Sequence, residues 1–229
     1  MYVHRKISSL LVALAIALTL GTVASADFSL QVTEIWPGNE PGSNLTADWF
    51  ELTNVGSMAY NASTDGDLYY DDNSFDAAVA DLINGVSSIG AGESVIFVVG
   101  DATDVTNWTT VWQPVVANLP QVGYTDGSGL GGGGDAVGIF LDAGFDGVDA
   151  GDLIETQAYP EADPFGGQSF DVRLGAFSVD GVGGAVSTLV LNDAGQAAVG
   201  SPGTVPVPEP STATLILIGM SAALMRRRK

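Results

Sequence analysis

The chain has 229 residues, with 27 acids, seven bases, one His and no Cys, for a formal charge of −20. Without Cys there is no disulfide and no thiolate chemistry, and His4 as the single imidazole leaves the body no Ser-His-Asp triad and no usual His/Cys zinc site. So acidic a surface repels phosphate polyanions, which excludes a nucleic-acid partner.

Residues 1–26 read as a processing segment. Arg5 and Lys6 precede an apolar run over residues 7–20, and Ala24-Ser25-Ala26 supplies a small-residue cleavage site. That is the order of a secretory signal peptide, so the mature chain is expected to start at Asp27; the other reading is a retained N-terminal anchor. With Arg5, Lys6 and the last four residues set aside, Arg173 is the body's sole cation against 26 acids. Lys is absent from the body, which removes Schiff-base and Ser-Lys chemistry. Carboxylate-pair or calcium-dependent catalysis alone stays open.

About 175 residues suit one domain, taken here as residues 27–203. Leu30 and Val32 alternate with Gln31 and Thr33. Phe50 and Leu52 point one way and Glu51 and Thr53 the other, the pattern of a half-buried strand. The spacing predicts a helix only over residues 75–83, where Phe75, Val79, Leu82 and Ile83 would form one stripe behind an Asn73-Ser74 cap. Residues 94–99 form a β-branched and aromatic run, as do 137–141. In residues 154–159, Ile154, Thr156 and Ala158 share a face. The Asp- and Gly-rich stretch 142–152 between those two runs is a natural hairpin connection. Many short strands with Gly, Asp and Pro turns predict an all-β sandwich.

Residues 204–210 read as a stiff Pro-rich linker. Residues 211–225 carry no charge and are predicted to be a transmembrane segment, followed by the basic cluster Arg226, Arg227, Arg228 and Lys229 on the cytoplasmic side. The order Pro208-Glu209-Pro210, apolar run and basic cluster closely resembles the PEP-CTERM sorting signal of Gram-negative bacteria. The resemblance implies an exosortase-type membrane protease as partner, a transient stay in the inner membrane, and delivery to the cell surface or the extracellular polymer matrix.

A second resemblance covers the body. Val32-Thr33-Glu34-Ile35-Trp36 and Asp48-Trp49-Phe50-Glu51-Leu52-Thr53-Asn54-Val55-Gly56 are similar to the opening strands of lamin-tail domains. Weaker matches follow in order at residues 68–72, 89–100, 134–142 with 154–159, and Ser201-Pro202-Gly203. This resemblance implies an immunoglobulin-like β-sandwich, a fold whose bacterial members are exported interaction modules. The stretch 102–130 is longer than the resemblance leads one to expect.

Asp142, Asp146, Asp149 and Asp152 are the candidate calcium ligands, calcium being the single cofactor considered; their spacing does not fit an EF-hand, and a polar hairpin tip is the simpler reading. Asp65, Asp67, Asp71 and Asp72 make a second acidic knot, weighed the same way. Gly127, Gly129 and Gly132 match G-x-G-x-x-G, but a strand follows where a dinucleotide site needs a helix. Trp108, Trp112 and Tyr124 would stack on sugar rings if exposed, or fill the core if not. Glu34 and Glu51, on neighbouring strands, mimic a glycosidase pair or serve the fold. Arg173 is expected to pair with one of these carboxylates. The leading expectation is an exported, non-enzymatic interaction module of the cell surface or matrix, with an exopolysaccharide or protein as matrix partner. The alternatives are a calcium-dependent carboxylate hydrolase on matrix polysaccharide and a calcium-responsive adhesion module.

Overall fold

The computed structural model of the chain describes residues 27–38, 45–161, 167–192 and 194–204. The expectations for Ala24 and Ala26, for Pro208, Glu209 and Pro210, for the apolar run and for the basic cluster lie outside the described residues. Among those described, no helix is long and apolar enough to cross a membrane.

The body is mostly strand. In chain order come β1 (Leu30–Trp36), β2 (Trp49–Asn54), β3 (Tyr60–Asn61), the one-turn helix α1 (Ala62–Asp65), β4 (Asp67–Asp71), β5 (Asp81–Leu82), β6 (Ser88–Ile89) and β7 (Ser94–Val99). Helix α2 (Ala102–Trp112), β8 (Gln121–Thr125), β9 (Asp135–Asp142), a 3₁₀ turn (Ala150–Asp152), β10 (Leu153–Tyr159), β11 (Phe170–Asp171), β12 (Ala176–Phe177), β13 (Val186–Leu191) and β14 (Ala197–Gly200) complete it. A six-stranded sheet in the order β12-β11-β1-β2-β7-β8 packs on a four-stranded sheet, β10-β9-β4-β5. Val32, Ile35, Phe50, Leu52, Val95 and Phe97 of the first meet Leu68, Tyr70, Val137 and Ile139 of the second. The architecture is that of an all-β sandwich.

The six-stranded sheet is covered on both faces. Every residue of β2 is buried, so the half-buried strand expected there is corrected. Its second face carries Trp36, Trp49, Ile96 and Val98, which pack with Trp108, Val111 and Trp112 of α2. Trp36 and Trp49, cross-strand partners, stack at 6.0 Å, and Trp112 meets both edge-on. All four Trp of the chain are thus in one cluster, and Trp108 and Trp112 are core rather than exposed sugar platforms. Burial of ~150–250 Å² per ring makes this layer a large share of the core.

Helix α2 is the crossover between the parallel strands β7 and β8 and accounts for the long stretch 102–130. Its start is set by a reciprocal capping box: the Asp101 carboxylate accepts from the amides of Thr103 (2.6 Å) and Asp104 (3.3 Å), and Asp104 accepts from the Asp101 amide (2.9 Å). The helix expected at residues 75–83 does not form. Asp71 accepts from the Ser74 hydroxyl and the Asp76 amide, Asp72 accepts from the Ser74 amide, and Phe75 sits at φ +48°. These side chains fold the stretch into turns, Leu82 joins a strand, and Val79 stays exposed.

Residues 135–142 and 153–159 form the expected hairpin, and Ile154, Thr156 and Ala158 do share a face, the exposed one. We expect Asp101→Ala, which removes the cap, to lower the thermal midpoint by roughly 2–4 °C, with the strand signal in circular dichroism unchanged.

Candidate functional site: a carboxyl clasp where the tail leaves the body

Three acids stand in register across three strands of the six-stranded sheet. Asp171 on β11 is the cross-strand partner of Glu34 on β1, and Glu34 is the partner of Glu51 on β2. The register shift between Val32 and Glu34 sets this alignment, a bulge that turns the strand locally. All three are buried, on the face opposite the sandwich core. Like charges directly opposite one another destabilise a sheet, so each must be answered by a donor, a cation or a proton.

Asp171 takes the cation. Arg173 grips it with two parallel bonds, Nε to Oδ1 at 3.1 Å and Nη2 to Oδ2 at 2.5 Å. The expectation that Arg173 pairs with Glu34 or Glu51 is therefore corrected: two residues along the strand is within direct reach, and the guanidinium acts on the glutamates only through its field. Arg173 also donates Nη1 to the Thr204 carbonyl and Nη2 to the Gly183 carbonyl, both at 3.1 Å.

The two glutamates take backbone amides from the end of the body. Ser201 N–H donates to Glu34 Oε1 at 2.7 Å, and Gly203 N–H donates to Glu51 Oε2 at 2.5 Å. The Ser169 hydroxyl adds a second, short bond to Glu34 Oε1, and Thr33 Oγ1 donates to Glu51 Oε1 at 2.7 Å. Gly203 has φ +75°, which an L side chain rarely adopts, and a Cβ at Gly200 would lie 3.0–3.2 Å from Trp112, Glu34 and Ser169. The closing stretch is thus seated on the carboxyls at close range.

Burial first, and then the charge of Glu51, push the Glu34 carboxyl up to about 8; Ser169 and Ser201 oppose the shift. Glu51 is raised as well, by burial, against its bonds from Thr33 and Gly203 and the field of Arg173. At neutral pH burial and mutual repulsion favour a proton on the pair, and Glu34 Oε2 has no hydrogen-bond partner among the described residues. A buried pair of carboxyls that accepts from backbone amides is an anchor. The cavity of about 190 Å³ beside it is lined by Val115, Val116, Val186, Pro202 and Thr204 among others, and neither glutamate reaches its wall.

The candidate calcium ligands are placed differently. Asp142 is buried at the end of β9 and accepts from the amides of Asp146 (3.2 Å) and Gly147 (3.0 Å). Asp149 and Asp152 form a capping box on the 3₁₀ turn. Their oxygens serve the hairpin, and among the described residues no group of three or more His, Cys, Asp or Glu stands ready to hold a metal ion. In the second knot, Asp65 accepts from the Asn61 amide and Asp71 from Ser74 and Asp76.

The glycine-rich stretch follows the same rule. Asp48 accepts from the Leu130 amide (2.7 Å), Asp135 accepts from the Gly131 amide (2.7 Å), and the Tyr70 and Tyr159 hydroxyls donate to the carbonyls of Ser128 and Gly131. Burial, with Asp135 close by, lifts Asp48 to about 6 against the Leu130 bond. Gly127, Gly129 and Gly132 therefore lie in or beside a strap around carboxyls, the opposite of a phosphate cradle.

Ser169 and Asp171 escaped the sequence reading. The i, i+2 spacing of Asp171 and Arg173 was the available sign.

Comparison with known families matches residues 206–229 to the PEP-CTERM protein-sorting motif. The motif begins two residues beyond Thr204, the last of the described residues and one held by Arg173 of the clasp. It marks an exported protein, anchored in a membrane before sorting and recognised by an exosortase, a membrane protease. No curated protein and no solved structure matches the chain.

Two outcomes follow. Folding holds a proton on Glu34 between about pH 4.5, its ordinary value, and about 8. The contribution of Glu34 to stability is therefore fully present below that window and is lost as pH rises through it. Glu34→Gln, which mimics the protonated acid, should flatten this slope between pH 5 and 8 in thermal-melt series. Arg173→Gln should lower stability by about 1–3 kcal/mol, less than a fully buried pair would, because Arg173 is partly exposed; urea midpoints check this.

Proposed function

We propose that the chain is an exported, non-enzymatic interaction module of lamin-tail type, carried on an immunoglobulin-like sandwich and displayed at the cell surface or in the extracellular polymer matrix. A signal peptide over residues 1–26 takes it out, the apolar tail holds it in the inner membrane, and an exosortase processes it near Pro208-Glu209-Pro210. The observation that carries this reading is the clasp. Glu34 and Glu51, the glutamates of the two lamin-tail-like opening motifs, bind the amides of the closing Ser201-Pro202-Gly203, directly before the sorting motif.

The same geometry favours a binding module over a carboxylate hydrolase. Both glutamates are buried and their oxygens face backbone amides, where a glycosidase pair must flank an open cleft. The acid surface keeps such a module soluble and apart from its neighbours.

In the native host, we expect tagged protein to lose its tail and reach the cell exterior only when the sorting protease is present, read by fractionation and by intact C-terminal mass. Full-length chain in the inner membrane with and without the protease would make the tail a simple anchor and move the module's work to the periplasm.

A further inference from the structure

We propose that the pole from which the tail departs is a membrane-contact face, on which Leu174, Val179 and Val182 rest against the periplasmic leaflet until processing frees the chain. The proposal builds on the membrane-anchored stage that the sorting motif implies.

Three observations carry it. The first is place. Arg173 binds both the Gly183 and the Thr204 carbonyls, a Cβ on Gly183 would lie 3.0 Å from the Leu174 side chain, and a Cβ on Gly184 would lie 3.1 Å from Thr204. The turns around Leu174 and Val182 therefore border the exit of the chain, and the Val182 amide bonds the Val179 carbonyl.

The second is exposure. Leu174, Val179 and Val182 are 52%, 56% and 52% exposed, three large apolar side chains at one pole with nothing of the described body over them.

The third is reach and charge. From Thr204 to Ser211, where the apolar run begins, seven residue steps span at most about 25 Å even when fully extended. A membrane-held tail keeps this pole near the bilayer at high effective concentration, where a weak apolar contact suffices. Residues 167–204 carry three of the body's 26 acids, Asp180 between Val179 and Val182 among them, together with its sole cation, so anionic lipid repels this stretch less than it repels the body as a whole.

The test uses the chain from Asp27 to Lys229, which has no Cys, with one introduced as Val182→Cys or Leu174→Cys and carrying an environment-sensitive fluorophore. The control is Val79→Cys, equally exposed and placed before β5, whose Asp81 carbonyl meets Thr125 at the end of β8 opposite the closing segment. In vesicles of phosphatidylethanolamine and phosphatidylglycerol, labels at 174 and 182 should shift blue. Brominated lipid should quench them about twofold, as groups ~5–10 Å into the interface would be, while the label at 79 stays unaffected. Chain that floats with the vesicles but shows the same unquenched emission at all three positions overturns the proposal. Quenching that appears only in membranes containing the exosortase also overturns it, and assigns the pole to that enzyme. Chain that fails to float removes the anchored stage, and the membrane-contact face with it.

Discussion

Strand β2 is enclosed from both sides, and the rest of the body is arranged around that constraint. A strand buried on one face can leave its polar side chains to water; β2 cannot, so Glu51 and Thr53 require partners inside the protein. Thr33, Thr53 and Ser94 link through their hydroxyls across three strands, and Glu34 and Glu51 are met by the amides of residues 201 and 203. Without the closing segment each of two buried carboxyls would lose its backbone donor and keep only a hydroxyl. The clasp holds the chain as far as Thr204 among the described residues, and the sorting motif starts at residue 206 of the sequence.

The surplus of acid has a local logic. With one cation in the body, carboxylates cannot be answered by salt bridges, and Arg173–Asp171 is the one formed among the described residues. Backbone amides do the work instead. Asp101 with Asp104 and Asp149 with Asp152 cap helical turns, while Asp71 and Asp142 gather amides of the turns that follow them and Asp135 takes one from the turn before it. Such short-range bonds need no long side chain to be ordered, and they hold loops in a protein without disulfides. Where a carboxyl is enclosed with another beside it, as at Glu34, burial pushes its pKa up to about 8 and favours the protonated form.

The strands were legible because alternation and turn residues are local properties. Residues 94–99 form β7 as read, and the 135–159 hairpin follows its Asp-Gly connection. Helix α2 was not foreseen, although Asp101 and Asp104 three apart and Val105, Trp108 and Trp112 at helical spacing were its signs; Trp108 and Trp112 were weighed only as sugar platform or core. The expected helix at 75–83 failed for a reason of the opposite kind. Its apolar spacing was sound, but Asp71 and Asp72 compete for the amides that a first turn would need, and tertiary pairing claimed Leu82 for a strand.

What the sequence by itself determined is what depends on near neighbours and composition: strand periodicity, turn chemistry, the sorting tail, and the exclusion of imidazole, thiol and amine catalysis. Only the tertiary structure decided which side chains share an interior. It placed Glu34 against Glu51, brought Ser201 and Gly203 to them across some 150 residues of chain, gave Arg173 to Asp171, and turned four Trp inward as one layer. Such meetings depend on strand order and register, and residues far apart in sequence carry no local trace of them.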